Sequence, residues 1–280
     1  MDARGPLLKV VTPAPAQEVE RFWIVRPTEP LSSLTPQQRY VELLINSLLD
    51  NIYESHDLQW GRGNAPASPE QVREGNYWPA RAHTMIGEKR LRNIEACFAD
   101  VVANDVEGDL IETGVWRGGA TIFMAGLCAV HGEKRKVYVA DSFEGLPPPD
   151  PKYKHDVGDI HHTLGKVLAI DLPTVQSNFA KYGLLSDQVI FIKGFFEHSL
   201  AKADIGKLAI LRLDGDMYSS TIQVLEQLYD KVSIGGYVII DDYGALSNCR
   251  AAVEDFRKSR DITDEMKVVD WSGVYWQKSK

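Results

Sequence analysis

GDLIETGVWRGGATIFMAG, residues 108–126, runs from an apolar strand beginning at Leu110 through Glu112 and Gly114 into a glycine-rich turn, from which a helix opens near Ala120. In open α/β sheets ligands bind in the crevice beyond the carboxyl ends of the strands, so this turn is expected to face a ligand. Its glycines fall at 114, 118 and 119, not in the G-x-G-x-x-G spacing of a dinucleotide site. Glu112 stands where a diphosphate would otherwise approach. A carboxylate repels diphosphate and suits the cationic end of an amino acid.

Downstream, short apolar runs alternate with helical segments: VYVAD (137–141), VIFIKG (189–194), LAILRLDGD (208–216), TIQVLEQLY (221–229) and YVIIDDY (237–243). Alternating β and α units predict a doubly wound, mostly parallel sheet with helices on both faces. MKVVDWSGVYWQK (266–278) reads as two closing strands around a Ser272-Gly273 turn. Upstream, Thr35-Pro36 supplies N-cap and N1 for an amphipathic helix with Tyr40, Leu43, Leu44, Ser47 and Leu48 at helical spacing. A second helix is expected over GEKRLRNIEACFADVVAND (87–105). Between them, residues 56–83 read as a loop carrying exposed Trp60, Tyr77 and Trp78. The chain thus divides into an extended, proline-rich arm (1–34), a helical cap and lid region (35–107) and a ligand-binding α/β domain (108–280).

The 280 residues carry a net charge of −8, 44% hydrophobic and 25% charged residues, the range of an ordinary globular protein. No dense Lys/Arg block offers the basic footprint a nucleic acid requires. No apolar run reaches the roughly 18 to 20 residues of a membrane span, and the N-terminus lacks the apolar core of a signal peptide, which points to the cytoplasm. Cys97, Cys128 and Cys249 are far apart and share no metal-ligand spacing, so they are expected as core thiols.

Asp141 ends its strand where an acid takes ribose hydroxyls in nucleotide-binding folds. Together Glu112, Gly114 and Asp141 outline a pocket for an adenosyl group without phosphates. Lys193-Gly194 allows a close backbone approach to adenine, with Phe195 or Phe196 lining it. Asp214 and the pair Asp241-Asp242 end adjacent strands, so three carboxylates converge. Clustered carboxylates repel unless a cation sits between them, and hard oxygen ligands suit Mg2+. Asp216 is placed as an outer partner or substitute ligand. His161 and His162 fall in a loop over the crevice and are read as solvated, with a substrate contact or a base as the sharper alternative.

These residues resemble the macrocin O-methyltransferase family, which methylates deoxysugar hydroxyls on natural products. The resemblance is carried by AHTMIGEKRLRNIE (82–95), the 108–126 stretch, VYVADSFEGLP, KYGLLSDQVIFIKGFFEHSL, LRLDGDMYSSTIQVLEQLYDKVSIGGYVIIDDYGA, CRAAVEDFR and GVYWQK. It implies a class I methyltransferase fold, Rossmann-like, with seven strands and an N-terminal helical extension, S-adenosylmethionine as methyl donor, Mg2+, and a homo-oligomer. It also implies that Thr84 and Met85 approach the cofactor's methionine half beside Glu112 and Gly114. Asp141 with Ser142 then takes the ribose, Gly194 and Phe195 meet the adenine, and Asp214, Asp241 and Asp242 hold the metal. Asp214 is the expected general base for a glycoside or polyhydroxylated acceptor. A catechol-type enzyme, a non-catalytic nucleotide-binding module and a nicotinamide oxidoreductase are the competing readings. The first uses the same acids; the other two leave the acids or the glycine spacing unexplained.

Overall fold

β1 (Asp109–Thr113), β2 (Val137–Asp141), β3 (Val189–Lys193), β4 (Leu208–Leu213) and β5 (Val232–Ile240) pair in parallel in the computed structural model, which describes residues 33–53, 67–77 and 79–280. The sheet has seven strands in the order β3-β2-β1-β4-β5-β7-β6. β7 (Val274–Gln277) runs antiparallel to both β5 and β6 (Lys267–Val268). The doubly wound, mostly parallel seven-stranded sheet is the one expected from the sequence, and the topology reverses direction between β1 and β4.

Helices cover both faces, which is why the central strands read as unbroken apolar runs. Leu110, Val139 and Ile210 pack into a cluster with α1 (Pro36–Leu48), α3 (Gly87–Ala103), α4 (Gly119–His131) and α5 (Leu172–Lys181). Ile111, Tyr138 and Leu211 face α6 (Tyr218–Leu228) and α7 (Ser247–Ser259) on the other side. The N-terminal helices share the first cluster with the sheet and have no core of their own. All three cysteines are buried thiols.

α1 begins where Thr35-Pro36 foretold it, through a reciprocal cap in which the Gln38 N–H donates to Thr35 Oγ1 at 3.2 Å and the Thr35 N–H to Gln38 Oε1 at 2.8 Å. The 56–83 loop is different. It contains a helix, α2 (Pro69–Glu74), capped in the same way by Ser68 and Gln71 and closed by left-handed Gly75. The Ser68-Pro69-Glu70-Gln71 sequence is a capping box and carried that information. Tyr77, expected to be exposed, is buried at 5% accessibility, while Trp60 and Trp78 lie outside the described residues. The 1–32 portion of the proline-rich arm lies outside them too. Among the described residues, no helix is long and apolar enough to cross a membrane.

Candidate active site

Glu112 and Arg212 are register partners on neighbouring strands, so their side chains lie side by side on one face. Arg212 is wholly buried and its guanidinium fork reaches three acids. It pairs with Glu112 and Asp241 and donates to Asp214 Oδ2 at 2.9 Å. Arg90 of α3 also pairs with Asp241 and reaches Asp270 Oδ2 at 2.9 Å. A buried chain of alternating charges therefore underlies the strand ends: Glu112, Arg212, Asp241, Arg90, Asp270.

The chain turns sharply at Gly114 because nothing larger fits. Its φ is 85°, and a Cβ there would overlap the carbonyl oxygen of Asp214. This approach brings the β1 and β4 ends together over a cavity of about 560 Å³, within the usual range for small-molecule sites. Glu112 Oε1 is held by Arg212, whereas Oε2 is buried without a partner at the cavity. Burial, only partly offset by Arg212, pushes the Glu112 carboxyl up to about 7. An unpaired buried acceptor of this kind is costly unless a donor arrives with a ligand.

Asp141 lines the same cavity. Its oxygens accept the N–H groups of Val115 and Phe143, each at 2.7 Å, which fixes the carboxylate while leaving lone pairs on both oxygens. Ser142 is spent locally, donating to the Gly145 carbonyl at 2.6 Å and accepting from the Glu144 N–H at 3.0 Å. Thr84 and Met85 line the cavity as expected. They arrive there because Gly119, at the start of α4, lets the His83–Thr84 backbone press against the helix; a Cβ at Gly119 would lie 2.6 Å from Thr84 Cβ. Phe195 and Phe196 line the cavity. Gly194 does not, but its N–H donates to the Asp141 carbonyl at 2.9 Å and sets the height of that strand end.

The acid cluster departs from the expected set. Asp214, Asp216 and Asp242 each offer an oxygen within 4.8 Å of the others. Asp241 is not among them, because both of its oxygens are taken by Arg90 and Arg212. Just past the end of β5 the Asp241-Asp242 pair divides: one acid turns to the guanidiniums and the other to the cluster. Asp216 takes the vacated place in a left-handed turn with φ of 57°, its N–H donating to Asp242 Oδ2 at 3.2 Å. Burial and then repulsion from neighbouring carboxylates, Asp241 among them, raise Asp214 and Asp242 well above the usual carboxylate range, and burial, opposed by His161 and aided by Asp241 and Asp159, raises Asp216 to about 6. Six carboxylates here face two guanidiniums. That imbalance fits a site completed by cations.

Residues beyond β2 fold over this end. Asp156, fully buried, accepts the N–H groups of Tyr218 and Ser219 at 2.8 and 2.9 Å and so caps α6 from a distant loop. No local pattern in the sequence announces it, since α6 has no side-chain cap of its own. Asp156→Ala should cost about 2 kcal/mol of unfolding free energy, because two bonds to a charged acceptor and a cap disappear together. Urea denaturation measures it, and a loss below 0.5 kcal/mol on the same ~2 kcal/mol scale would rule out the capping role.

His83 sits behind Thr84 with Nδ1 2.8 Å from the Tyr182 hydroxyl. Burial first, then Lys181 and Arg117, lower it to about 4. The unfolded chain binds a proton at His83 near pH 6.5 that the folded chain refuses, so this contribution is complete above that pH and is lost as pH falls toward 4. Stability should fall by up to about 1.4 kcal/mol per pH unit within that window. His83→Phe should flatten the slope in a pH series of denaturation curves.

The macrocin-O-methyltransferase (TylF) family profile matches residues 37–278. Demethyldecarbamoylnovobiocin O-methyltransferase of Streptomyces niveus is 46% identical over 245 residues, covering 86% of this chain and 94% of that protein. The 8-demethyl-8-(2,3-dimethoxy-alpha-L-rhamnosyl)-tetracenomycin-C 4'-O-methyltransferase of Streptomyces olivaceus is 44% identical, covering 85% of this chain and 92% of its own. The solved structure of the O-methyltransferase NovP superposes with a TM-score of 0.83 at 45% identity, over 87% of this chain and all of that one.

Proposed function

The chain belongs to the macrocin-O-methyltransferase family and is an O-methyltransferase, and from that premise we propose that it methylates a deoxysugar hydroxyl on a natural product, using S-adenosylmethionine and Mg2+. The observation that carries the reading is the unpartnered, buried Glu112 Oε2 in a cavity shared with Asp141 and the Asp214, Asp216, Asp242 cluster. Its vacant lone pairs suit the ammonium of the methionine half. The free lone pairs of Asp141, one strand away, suit a vicinal diol, as in a ribose. Met85, Trp116, Leu146 and Leu168 wall the cavity with apolar surface and exclude water around a sulfonium.

When bound, S-adenosylmethionine supplies a methyl group on positive sulfur and leaves as a neutral thioether. Mg2+, held by Asp214, Asp216 and Asp242, would make a hydroxyl more acidic and orient it. Asp214 would hold the cation rather than serve as base, because Arg212 already occupies its Oδ2. Ala245, Leu246 and Trp271 line the cavity beyond the acids and leave the acceptor a mixed apolar and polar entrance. The rhamnosyl acceptor named for the Streptomyces olivaceus relative supports a sugar hydroxyl over a catechol. Exposed Leu43, Ile52 and Tyr53 on and after α1 support a homo-oligomer.

Titration calorimetry with S-adenosylhomocysteine tests the cofactor assignment. Wild-type binding should weaken roughly 10- to 100-fold in Glu112→Gln, the equivalent of one charge-assisted bond, and in Asp141→Ala, but persist in Asp216→Asn. No binding by the wild type would overturn the reading. Methyl transfer to demethyldecarbamoylnovobiocin but not to catechol would support the sugar class, and the reverse would favour the small-phenol alternative.

A further inference from the structure

The cover over the acid cluster contains an ordered carboxylate–imidazole pair. His161 lines the cavity on a single helical turn, and its Nδ1 lies 3.0 and 3.1 Å from the two oxygens of Asp159. Asp159 is tightly held: its Oδ1 accepts the His161 backbone N–H at 2.7 Å and its Oδ2 accepts Asn248 Nδ2 at 2.7 Å, from the first turn of α7. The Asp159 side chain is only 4% exposed. His161 forms no ion pair with Asp214, Asp216 or Asp242 among the described residues, although it lies close enough to Asp216 to favour that acid's charged form.

The tautomer follows from these bonds. Burial alone would raise Asp159, but its bonds from His161 and Asn248 outweigh burial and hold the carboxyl below its ordinary range. An ionised carboxylate only accepts, so His161 Nδ1 carries a proton, and in the neutral ring Nε2 is then the nitrogen that presents a lone pair. No described protein atom bonds to Nε2. The ring thus stands at the cavity wall with its basic nitrogen vacant, oriented by a carboxylate that is itself oriented by an amide.

We propose that His161 is the general base of methyl transfer, with Asp159 and Asn248 as its positioning residues. The proposal rests on the O-methyltransferase reading above. The acceptor oxygen forms its bond to the methyl carbon as the carbon–sulfur bond breaks and its electron pair remains on sulfur. The hydroxyl proton passes to His161 Nε2, and solvent removes it after the product leaves. Asp159 stabilises the imidazolium in between. This division leaves Asp214, already bonded to Arg212, free of any proton-transfer duty.

Two measurements test it. The first needs no acceptor: 15N shifts of the His161 ring should report the Nδ1–H tautomer in the wild type and a mixed or Nε2–H state in Asp159→Asn. An Nε2–H tautomer in the wild type overturns the proposal. The second follows methyl transfer to demethyldecarbamoylnovobiocin across a pH series. His161→Gln should lower kcat about 10²- to 10⁴-fold and erase its acidic limb while S-adenosylhomocysteine affinity stays within twofold on that same logarithmic scale of about 10² or more. Asp159→Asn should move the acidic limb to lower pH, because the imidazolium loses the opposing charge nearest to it while Asp216 and Asp242 remain. Asn248→Asp, which can no longer donate, should lower kcat without changing cofactor affinity. His162→Gln, outside the cavity lining, should leave the profile unchanged. If His161→Gln retains kcat with its acidic limb in place, His161 is not the base, and calorimetry shows separately whether the methyltransferase reading stands. A wild type that neither binds S-adenosylhomocysteine nor transfers methyl overturns both.

Discussion

Arg212→Met should lower the unfolding free energy by about 4 kcal/mol or more, close to the whole margin of many domains, and should abolish S-adenosylhomocysteine binding. The side chain is 0% exposed, and its fork satisfies Glu112, Asp214 and Asp241 at once. Removing it strands the buried Glu112, leaves Asp241 with Arg90 alone and takes a donor from the partly exposed Asp214, and breaking a single buried pair already costs about 3 to 5 kcal/mol. Arg212→Lys keeps the charge but can serve only part of the fork, so a smaller loss is expected. Combining Arg212→Met with Glu112→Gln and Asp241→Asn should recover part of the stability, because neutral groups replace stranded charges, but should not recover cofactor binding. Urea denaturation of the three variants reads these differences. A loss below about 1.5 kcal/mol for Arg212→Met would mean that the carboxylates find other partners and that Arg212 is not the hub of the network.

Arg212 was invisible as a functional residue in the sequence for an identifiable reason. LAILRL reads as an apolar strand with one intruding charge, and a single strand cannot reveal which neighbour carries the opposite charge. The same limit explains Asp241. Two adjacent acids just past a strand end imply convergence with Asp214, but only the positions of Arg90 on α3 and Arg212 on β4 decide which one is neutralised. By contrast the alternation of strands and helices, the two closing strands, the Thr35 cap and the tight turn at Gly114 were legible, because each depends on local geometry or on a period repeated over many residues. The α2 helix was legible and missed: its capping box was overridden by the surrounding Gly, Pro and Asn. Asp156 could not have been found, since it caps a helix 62 residues away.

The proposal that Asp216, rather than Asp241, completes the cation site leads to the last expected result. In EDTA-treated wild-type protein, Mg2+ at about 100 times its dissociation constant should add roughly 2.7 kcal/mol to the unfolding free energy. Asp216→Asn should remove most of that increment while leaving stability without metal unchanged or raised, because it takes one like charge out of a crowded, partly buried set. Asp241→Asn should do the opposite. Two buried guanidiniums lose a partner, so stability without metal should fall by about 3 kcal/mol or more, yet the Mg2+ increment should persist because Asp214, Asp216 and Asp242 are untouched. The two substitutions remove the same charge from positions at neighbouring strand ends, so net charge cannot account for opposite results. If Asp241→Asn loses the Mg2+ increment and Asp216→Asn keeps it, the adjacent acids just after β5 bind the cation together, and the guanidinium pairing of Asp241 must give way when it arrives. If instead Asp216→Asn loses the increment and Asp241→Asn keeps it, the turn after β5 divides its two acids, one tying α3 to the sheet through Arg90 and the other serving the reaction.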